Sequence, residues 1–509
     1  MTTPESAPGA SGLSVVVKRG VALSASGVVI VQVISIAQTL VLGRILGPAE
    51  VGVYAAGSVL MGFVMIVVEG TLSQALIQRE HDIEDAATTA FVATVASGLL
   101  LALAALAIAP LIGALFHSHR VGLIAAASSG LMLLHSFSTV PDAMMQRAFQ
   151  FTRRIIIGPV MCTTFAVVAI AFAAMGFGAW AMVIGSYASM TVWVTLSWSL
   201  SHWRPFQGRV SFRLWREMAR FSFPVAAEGL AERVRESLEA LIVGRVLGTA
   251  SLGQFRYAFR IGSLPAGAII QSCSFVLFPA FSRISGDQQR LRHAFLRALG
   301  WLWFAALPIA AIMILEGEQI VVLLLGEEWR PAGVATEAMS GLGLGLALLS
   351  VTAEAIKGAG RSALLMWLAA IHLVVGLPMV LLLLPYGLVG VAIALSVTHL
   401  VLGAVSVVLA RPIVGVSYRE IGACLAPSML AALIAFGVVL PLKFFLFRTG
   451  DLSLLRGSVS IIALSLAFSA MYLAMTRVLS PARYHELRHF IGRVLSSVAH
   501  RREAKADAP

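Results

Sequence analysis

Apolar runs of about twenty residues, separated by short polar turns, recur along nearly the whole chain. At 1.5 Å of rise per residue such a run matches the hydrocarbon thickness of a bilayer, so each predicts a membrane-crossing helix. About fourteen can be placed. The first covers about 21–41 and a second ends near Ile77; then come about 88–116, 121–140, 155–175 and 180–200. Beyond a basic stretch follow 221–247, 252–280, 298–315, 332–355, 363–384 and 389–410, and finally 421–441 and 457–476. An outer-membrane barrel would instead alternate over segments of about ten residues. The fold class expected is all-α integral membrane.

One run breaks the apolar rule. Between Pro224 and Arg260 charged residues pass through segments long enough to span. A charge at the centre of a spanning helix costs roughly 2.5–3.5 kcal/mol even on lenient insertion scales, so these groups must face something other than lipid. At about 100° per residue, Glu228, Glu232, Arg235 and Glu239 fall at roughly 0°, 40°, −20° and 20°, one narrow stripe. Arg256 and Arg260 then repeat at i, i+4 on the next helix. Two readings follow. The stripe lines a hydrated cavity that handles substrate or couples ions, as intramembrane ionisable residues usually do. Alternatively, the Glu232/Arg235 and Arg235/Glu239 spacings serve only as intrahelical pairs that fix the helix and its rotation.

Composition strengthens the membrane reading: 59% of the 509 residues are hydrophobic and 12% charged, with a mean hydropathy of +0.90. The formal charge of +12 would suggest nucleic acid in a soluble protein. Here the arginines sit in short loops between apolar runs, which marks topology rather than a nucleic-acid partner. Lys18 and Arg19 put the N-terminus on the cytoplasmic side, as do Arg147, Arg153 and Arg154 for their loop. The stretch HWRPFQGRVSFRLWREMAR, five Arg against one Glu, is the strongest marker. EGEQIVVLLLGEEWR, with Glu316, Glu318, Glu327 and Glu328, is expected outside, and a basic tail from Arg477 to Arg502 inside. Lys443, Arg448 and Arg456 disagree, since the same count puts them outside. Residues 1–14 lack the charged and apolar regions of a removable signal peptide. Cys162, Cys273 and Cys424 lie in apolar runs, the histidines lack metal spacing, and no phosphate-binding loop or nucleophile elbow appears, so neither metal nor cofactor is expected.

An internal repeat sets the architecture. LGRILGPAEVGVYA (Leu42 to Ala55) aligns without a gap on VGRVLGTASLGQFR (Val243 to Arg256), pairing Gly43, Arg44, Gly47 and Gly52 with Gly244, Arg245, Gly248 and Gly253. GFGAWAMVI pairs with PYGLVGVAI, and STVPDAMMQ with SVTAEAIKG, which sets Asp142 opposite Glu354. Six spans separate the copies, so both enter the membrane in the same direction as parallel repeats. The expected plan is a cytoplasmic segment (1–20), an N-lobe (21–200), a basic linker (201–220), a C-lobe (221–410), a helix pair (411–476) and a basic tail (477–509). Transporters of this plan bind substrate between lobes and alternate access by rocking. Where the second copy has Glu228, Glu232, Arg235, Glu239, Arg256 and Arg260, the first has Gly27, Val31, Ile34, Gln38, Ala55 and Val59, so only one wall should be charged. The repeated glycines themselves need no role beyond a tight turn and close backbone approach.

LGRILGPAEVGVYA, QALIQRE, VPDAMMQRAFQFTRR and PYGLVGVAIA, in this order along residues 15–480, resemble the polysaccharide transport branch (Wzx-like oligosaccharide flippases) of the multidrug/oligosaccharidyl-lipid/polysaccharide exporter superfamily. That resemblance implies two six-helix lobes with two further C-terminal helices. It implies movement of a polyprenyl-diphosphate-linked glycan from the inner to the outer leaflet of a bacterial cytoplasmic membrane, among membrane lipids and in concert with glycosyltransferases and a polysaccharide polymerase. Cationic cavities recur in the family, and Arg235, Arg256 and Arg260 are the positions that fit. Guanidinium groups suit a diphosphate because they stay charged and bond two oxygens at once. Glu232 and Glu239 would hold those arginines between cycles, and Glu228 or Glu232 would titrate.

Lipid II flipping and cation-coupled drug export are the nearest alternatives. A membrane glycosyl polymerase or ligase would need catalytic groups in sizeable loops, and the loops expected outside are short. A scaffold of the polymer machinery would not need a charged span.

Overall fold

The computed structural model describes residues 10–62, 72–148, 151–201, 203–361, 363–446, 454–489, 493 and 496, and these are almost wholly helical. Ten of the described helical segments are long and apolar enough to cross a membrane, one of them running through two helices. The chain is a multi-pass, all-α membrane protein. It divides into two compact units, Met1–Arg256 and Tyr257–Pro509.

The first unit holds α1 (Ala10–Gly57), α2 (Ser73–Gln78), α3 (Ile83–Leu115), α4 (His119–Arg147), α5 (Phe151–Ala174), α6 (Ala179–Leu200), α7 (Phe212–Val246) and the opening of α8 (Thr249–Ile284). Part of the second expected span, residues 63–71, falls outside the described residues. The sequence repeat reappears in the backbone. Inside α1 the helix breaks at Gly47 (φ 68°), with Pro48 opening the next piece, and α7 is separated from α8 by Gly248 (φ 90°). Both turns need a conformation that costs side chains strain, and Pro suits a first helical position.

The two copies of the turn also touch. A Cβ added to Gly52 would strike the Thr249 carbonyl oxygen and stand 3.2 Å from the Gly253 nitrogen; one added to Gly253 would strike the Pro48 carbonyl oxygen and stand 2.9 Å from the Gly52 nitrogen. Since Pro48 and Thr249 are themselves equivalent in the repeat, the contact is reciprocal. Small residues here let two backbones meet, which is how helices associate where hydrophobic burial gives no drive.

Polar staples fix the ends of this unit. Glu50 accepts from both guanidinium nitrogens of Arg120 (2.9 and 2.8 Å) and from the Ala179 amide (2.7 Å), tying the ends of α1, α4 and α6 together. The pair is partly exposed, so Glu50→Gln should cost only about 0.5–1 kcal/mol, read as a small drop in melting temperature of the purified protein. At the other end, Arg147 donates to the carbonyls of Leu76, Ile77 and Arg79. The basic stretch before α7 is anchored as well: the Gly208, Arg209 and Ser211 amides donate to Thr88 Oγ1, Asp85 Oδ1 and Thr89 Oγ1 at 3.2, 2.7 and 3.0 Å. Ser211 then caps α7 by accepting from the Leu214 amide at 3.5 Å, so residues 212–220 are its opening turns. Phe91 packs edge-on against Trp198 and Trp203 beneath this anchor.

The second unit contains the rest of α8 and α9 (Gln288–Leu325), α10 (Arg330–Ala338), α11 (Ser340–Gly358), α12 (Ala363–Leu383), α13 (Gly387–Val414), α14 (Tyr418–Leu446) and α15 (Leu454–Leu479). Its core runs through Phe295, Leu299, Trp303, Val351, Phe468 and Tyr472, and the Tyr472 hydroxyl donates to the Phe304 carbonyl at 3.0 Å. Two segments differ from expectation. Glu316 to Leu325 continue α9 as regular helix beyond the expected span end at 315, because Ile320 to Leu325 extend the same apolar helical run; Glu316 is 0% exposed. The expected span 332–355 is broken at Met339 into α10 and α11. Glu327 and Glu318 both accept from Arg330, and that bond holds the Glu327 carboxyl below the ordinary carboxylate range. Lys443, which disagreed with the expected topology, lies 3.2 Å from Glu337 as an ion pair.

Candidate functional site

The charged face of α7 forms a network centred on Arg235, which is 3% exposed. Because residues three and four apart share a helix face, Glu232 and Glu239 reach it from opposite directions along the helix. Arg235 Nε donates to Glu232 Oε2 at 3.1 Å, Nη2 to Glu232 Oε1 at 2.5 Å, and Nη1 to Glu239 Oε1. Glu239 is buried with it, while the Glu232 side chain is 44% exposed. The stripe is therefore graded, from a sealed lower end to a wet one.

Two groups that the stripe did not include join it. Arg233 and Glu236 form a second ion pair at 2.7 Å, with side chains 48% and 31% exposed. On α8 the half-buried Arg256 lies within the attraction of Glu236 and Glu239 and the repulsion of Arg233. Three carboxylates thus face three guanidinium groups, and a fully ionised network is electrically balanced. Such balance is what lets ions persist at low dielectric, where a single uncompensated charge costs several kcal/mol. Arg233 and Glu236 were legible as an opposite-charge pair at i, i+3, though not as part of the narrow stripe.

The other expected residues are placed differently. The side chain of Glu228 lies outside the described residues. Arg260, one turn beyond Arg256 on α8, is exposed and belongs to the second unit, where neighbouring Tyr257 packs on Trp329 with ring centroids 4.3 Å apart. In the first copy of the repeat, Gln38 replaces Glu239 and faces Cys162 Sγ at 3.7 Å, a neutral contact in a neutral wall. Asp142 and Glu354, matched by the repeat, each bind a residue of their own helix: Gln146 at 2.9 Å and Lys357 at 3.3 Å. Among the described residues no three His, Cys, Asp or Glu side chains are grouped to hold a metal ion. A cavity of about 650 Å³ in the first unit, lined by Asp82, Asp85, Met144 and Trp203, shares no lining residue with the Arg235 network.

An arginine already held by two carboxylates does two things chemically. It keeps its charge at every physiological pH, and it can take an anionic ligand only by exchanging one carboxylate for it. Glu232, the wetter partner, is the one it gives up more cheaply. Arg256, on α8, feels the attraction of Glu236 and Glu239 and is not one of the groups in the clamp that Arg235 forms with Glu232 and Glu239.

Comparison with known proteins adds an independent line. The sequence profile of a family described as polysaccharide biosynthesis protein matches residues 41–333. The succinoglycan biosynthesis transport protein ExoT of Rhizobium meliloti (strain 1021) is 25% identical over 339 residues, 66% of this chain and 67% of that protein. The lipopolysaccharide biosynthesis protein WzxC of Escherichia coli (strain K12) is 21% identical over 324 residues, 61% of this chain and 63% of that protein. The chain thus spans about two thirds of the length of these curated relatives. Among solved structures, the lipid II flippase MurJ in an inward closed conformation superposes with a TM-score of 0.72 at 14% identity, covering 91% of this chain and 99% of that one. An inward-facing multidrug resistance MATE family transporter gives a TM-score of 0.63 at 16% identity, covering 75% and 94%. At such identities the likeness is one of fold.

Proposed function

Because the chain belongs to the polysaccharide biosynthesis protein family, whose profile covers more than half of it, we propose that it carries a polyprenyl-diphosphate-linked oligosaccharide across a bacterial cytoplasmic membrane by alternating access. The resemblance seen in its motifs is borne out by that family match and by relatives named for transport of succinoglycan and biosynthesis of lipopolysaccharide. The chain is a transporter, not an enzyme. Both termini on the cytoplasmic side, and glycosyltransferases and a polymerase as neighbours in the pathway, belong to the same reading.

The observation that carries it is the ionised network on α7 and α8 in an otherwise apolar multi-pass chain. A diphosphate and its sugars cannot cross hydrocarbon unaided, because their charges and hydroxyls would lose water without gaining partners. In this reading Arg256 and Arg260 meet the diphosphate first. Arg235 stays clamped by Glu232 and Glu239, and releases Glu232 when the headgroup arrives. Glu228 or Glu232 takes the proton if ion movement is coupled. Coupling is not obligatory, since an inside-negative potential favours outward movement of an anion by ~2.3 kcal/mol per elementary charge per 100 mV.

Headgroup translocation by the full chain in liposomes tests this. Arg256→Ala with Arg260→Ala should slow transfer of a polyprenyl-diphosphate glycan about 10–100-fold, the loss of one or two charge-assisted contacts. Wild-type transfer by that double variant would remove the diphosphate assignment. Offering lipid II or a cationic drug in the same liposomes separates the alternative substrates.

A further inference from the structure

Far from α7 in sequence, the second unit buries another carboxylate that the transport scheme above does not use. Glu316 on α9 is 0% exposed. Its Oε2 accepts from Ser465 Oγ on α15 at 2.8 Å, and its Oε1 has no hydrogen-bond partner among the described residues. The charged group that acts on it is Lys443 from α14. Lys443 Nζ is itself 3.2 Å from Glu337 Oε1 on α10, and that oxygen also accepts from the Glu318 amide at 3.3 Å. Glu318 and Arg330 pair with each other, and α15 carries two arginines, Arg456 in its first turn and Arg477 in its last. Two buried or half-buried carboxylates therefore share one ammonium.

Glu316 and Glu337 together carry one negative charge more than the Lys443 ammonium supplies. An unpaired carboxylate in a dry interior is far more costly than the same group made neutral. A metal cation would neutralise it only with several oxygen ligands, and no grouping of three ligating side chains occurs among the described residues. A proton needs one bare oxygen, and Glu316 Oε1 is that oxygen.

We infer that Glu316 is a proton-binding site, with Lys443 as a shared counter-ion that stays on Glu337 when Glu316 is protonated and turns to Glu316 when it is not. Protonation adds one O–H bond at Oε1 and breaks none. The Lys443 and Glu337 side chains, 18% and 21% exposed, give the proton its route. The site itself stands apart from any substrate assignment; its use in driving export rests on the transport reading.

Infrared difference spectra of the purified full chain between acid and alkaline buffer read this without any substrate, so failure here is distinguishable from failure of the transport reading. The expected result is a protonated-carboxyl band that is lost in Glu316→Gln, whose amide keeps the shape and the Ser465 bond. Lys443→Met should make the wild-type band persist into more alkaline buffer, and this reading survives even if the Glu316 variant does not fold. A band unchanged in Glu316→Gln, a band indifferent to Lys443→Met, or one that shifts with sodium at fixed pH would each overturn the proposal.

Discussion

Arg235→Met should destabilise the protein by about 3–5 kcal/mol, because it leaves Glu239 buried and ionised without the guanidinium bonded to it. The measurement is thermal unfolding of the purified full chain in detergent. A second change makes the cause specific: Glu239→Gln in the same background removes the stranded charge and should return most of the loss. Glu232→Gln alone should cost much less, since the Glu232 side chain is nearly half exposed and water takes over its solvation. If Arg235→Met melts like the parent, the clamp is not what holds α7, and the stripe has no structural share to be separated from its functional one.

The second large effect falls on the reciprocal glycine contact. Gly52→Ala and Gly253→Ala each drive a methyl into a backbone carbonyl, of Thr249 and Pro48 respectively, and backbone cannot rotate away as a side chain tip can. Each should cost about 3 kcal/mol, the upper range for an inserted methyl, and be read in the same melts. Gly47→Ala and Gly248→Ala test a different term. There no atom stands in the way of a methyl at Gly248, so its cost is the positive φ alone, about 1–2 kcal/mol. Because Gly52 and Gly253 share one contact, their double variant should cost less than the two single losses together.

Most of the helices were legible because apolar runs of bilayer length have few other uses, and the repeat predicted both glycine turns to the residue. What was not legible has physical reasons. Glu316 looked like a loop marker, since a carboxylate after an apolar run usually meets water; only the packing of α15 reveals the Ser465 hydroxyl that lets it stay inside. The stretch before α7 read as a free basic linker because its anchors, Asp85, Thr88 and Thr89, lie more than a hundred positions away and bond to backbone amides, which leave no trace in side-chain pattern. On α7 the stripe angles found Glu232, Arg235 and Glu239 correctly. They could not say that Arg235 would be buried and Glu232 wet, because helical periodicity gives a face and not the depth of its neighbours. Arg233 and Glu236 escaped because they fall at roughly 140° and 80° on the same wheel, outside the narrow sector of the stripe.

The mutual seat of Gly52 against Thr249 and of Gly253 against Pro48 has the form of an isologous interface folded into one polypeptide: each copy of the turn offers the patch that the other copy also offers. A chain of half this length bearing LGRILGPAEVG would be self-complementary and would pair with its twin about a dyad. Joining the twins end to end frees each side to differ alone, and at the matched positions one copy carries ions where the other carries glutamine, valine and isoleucine.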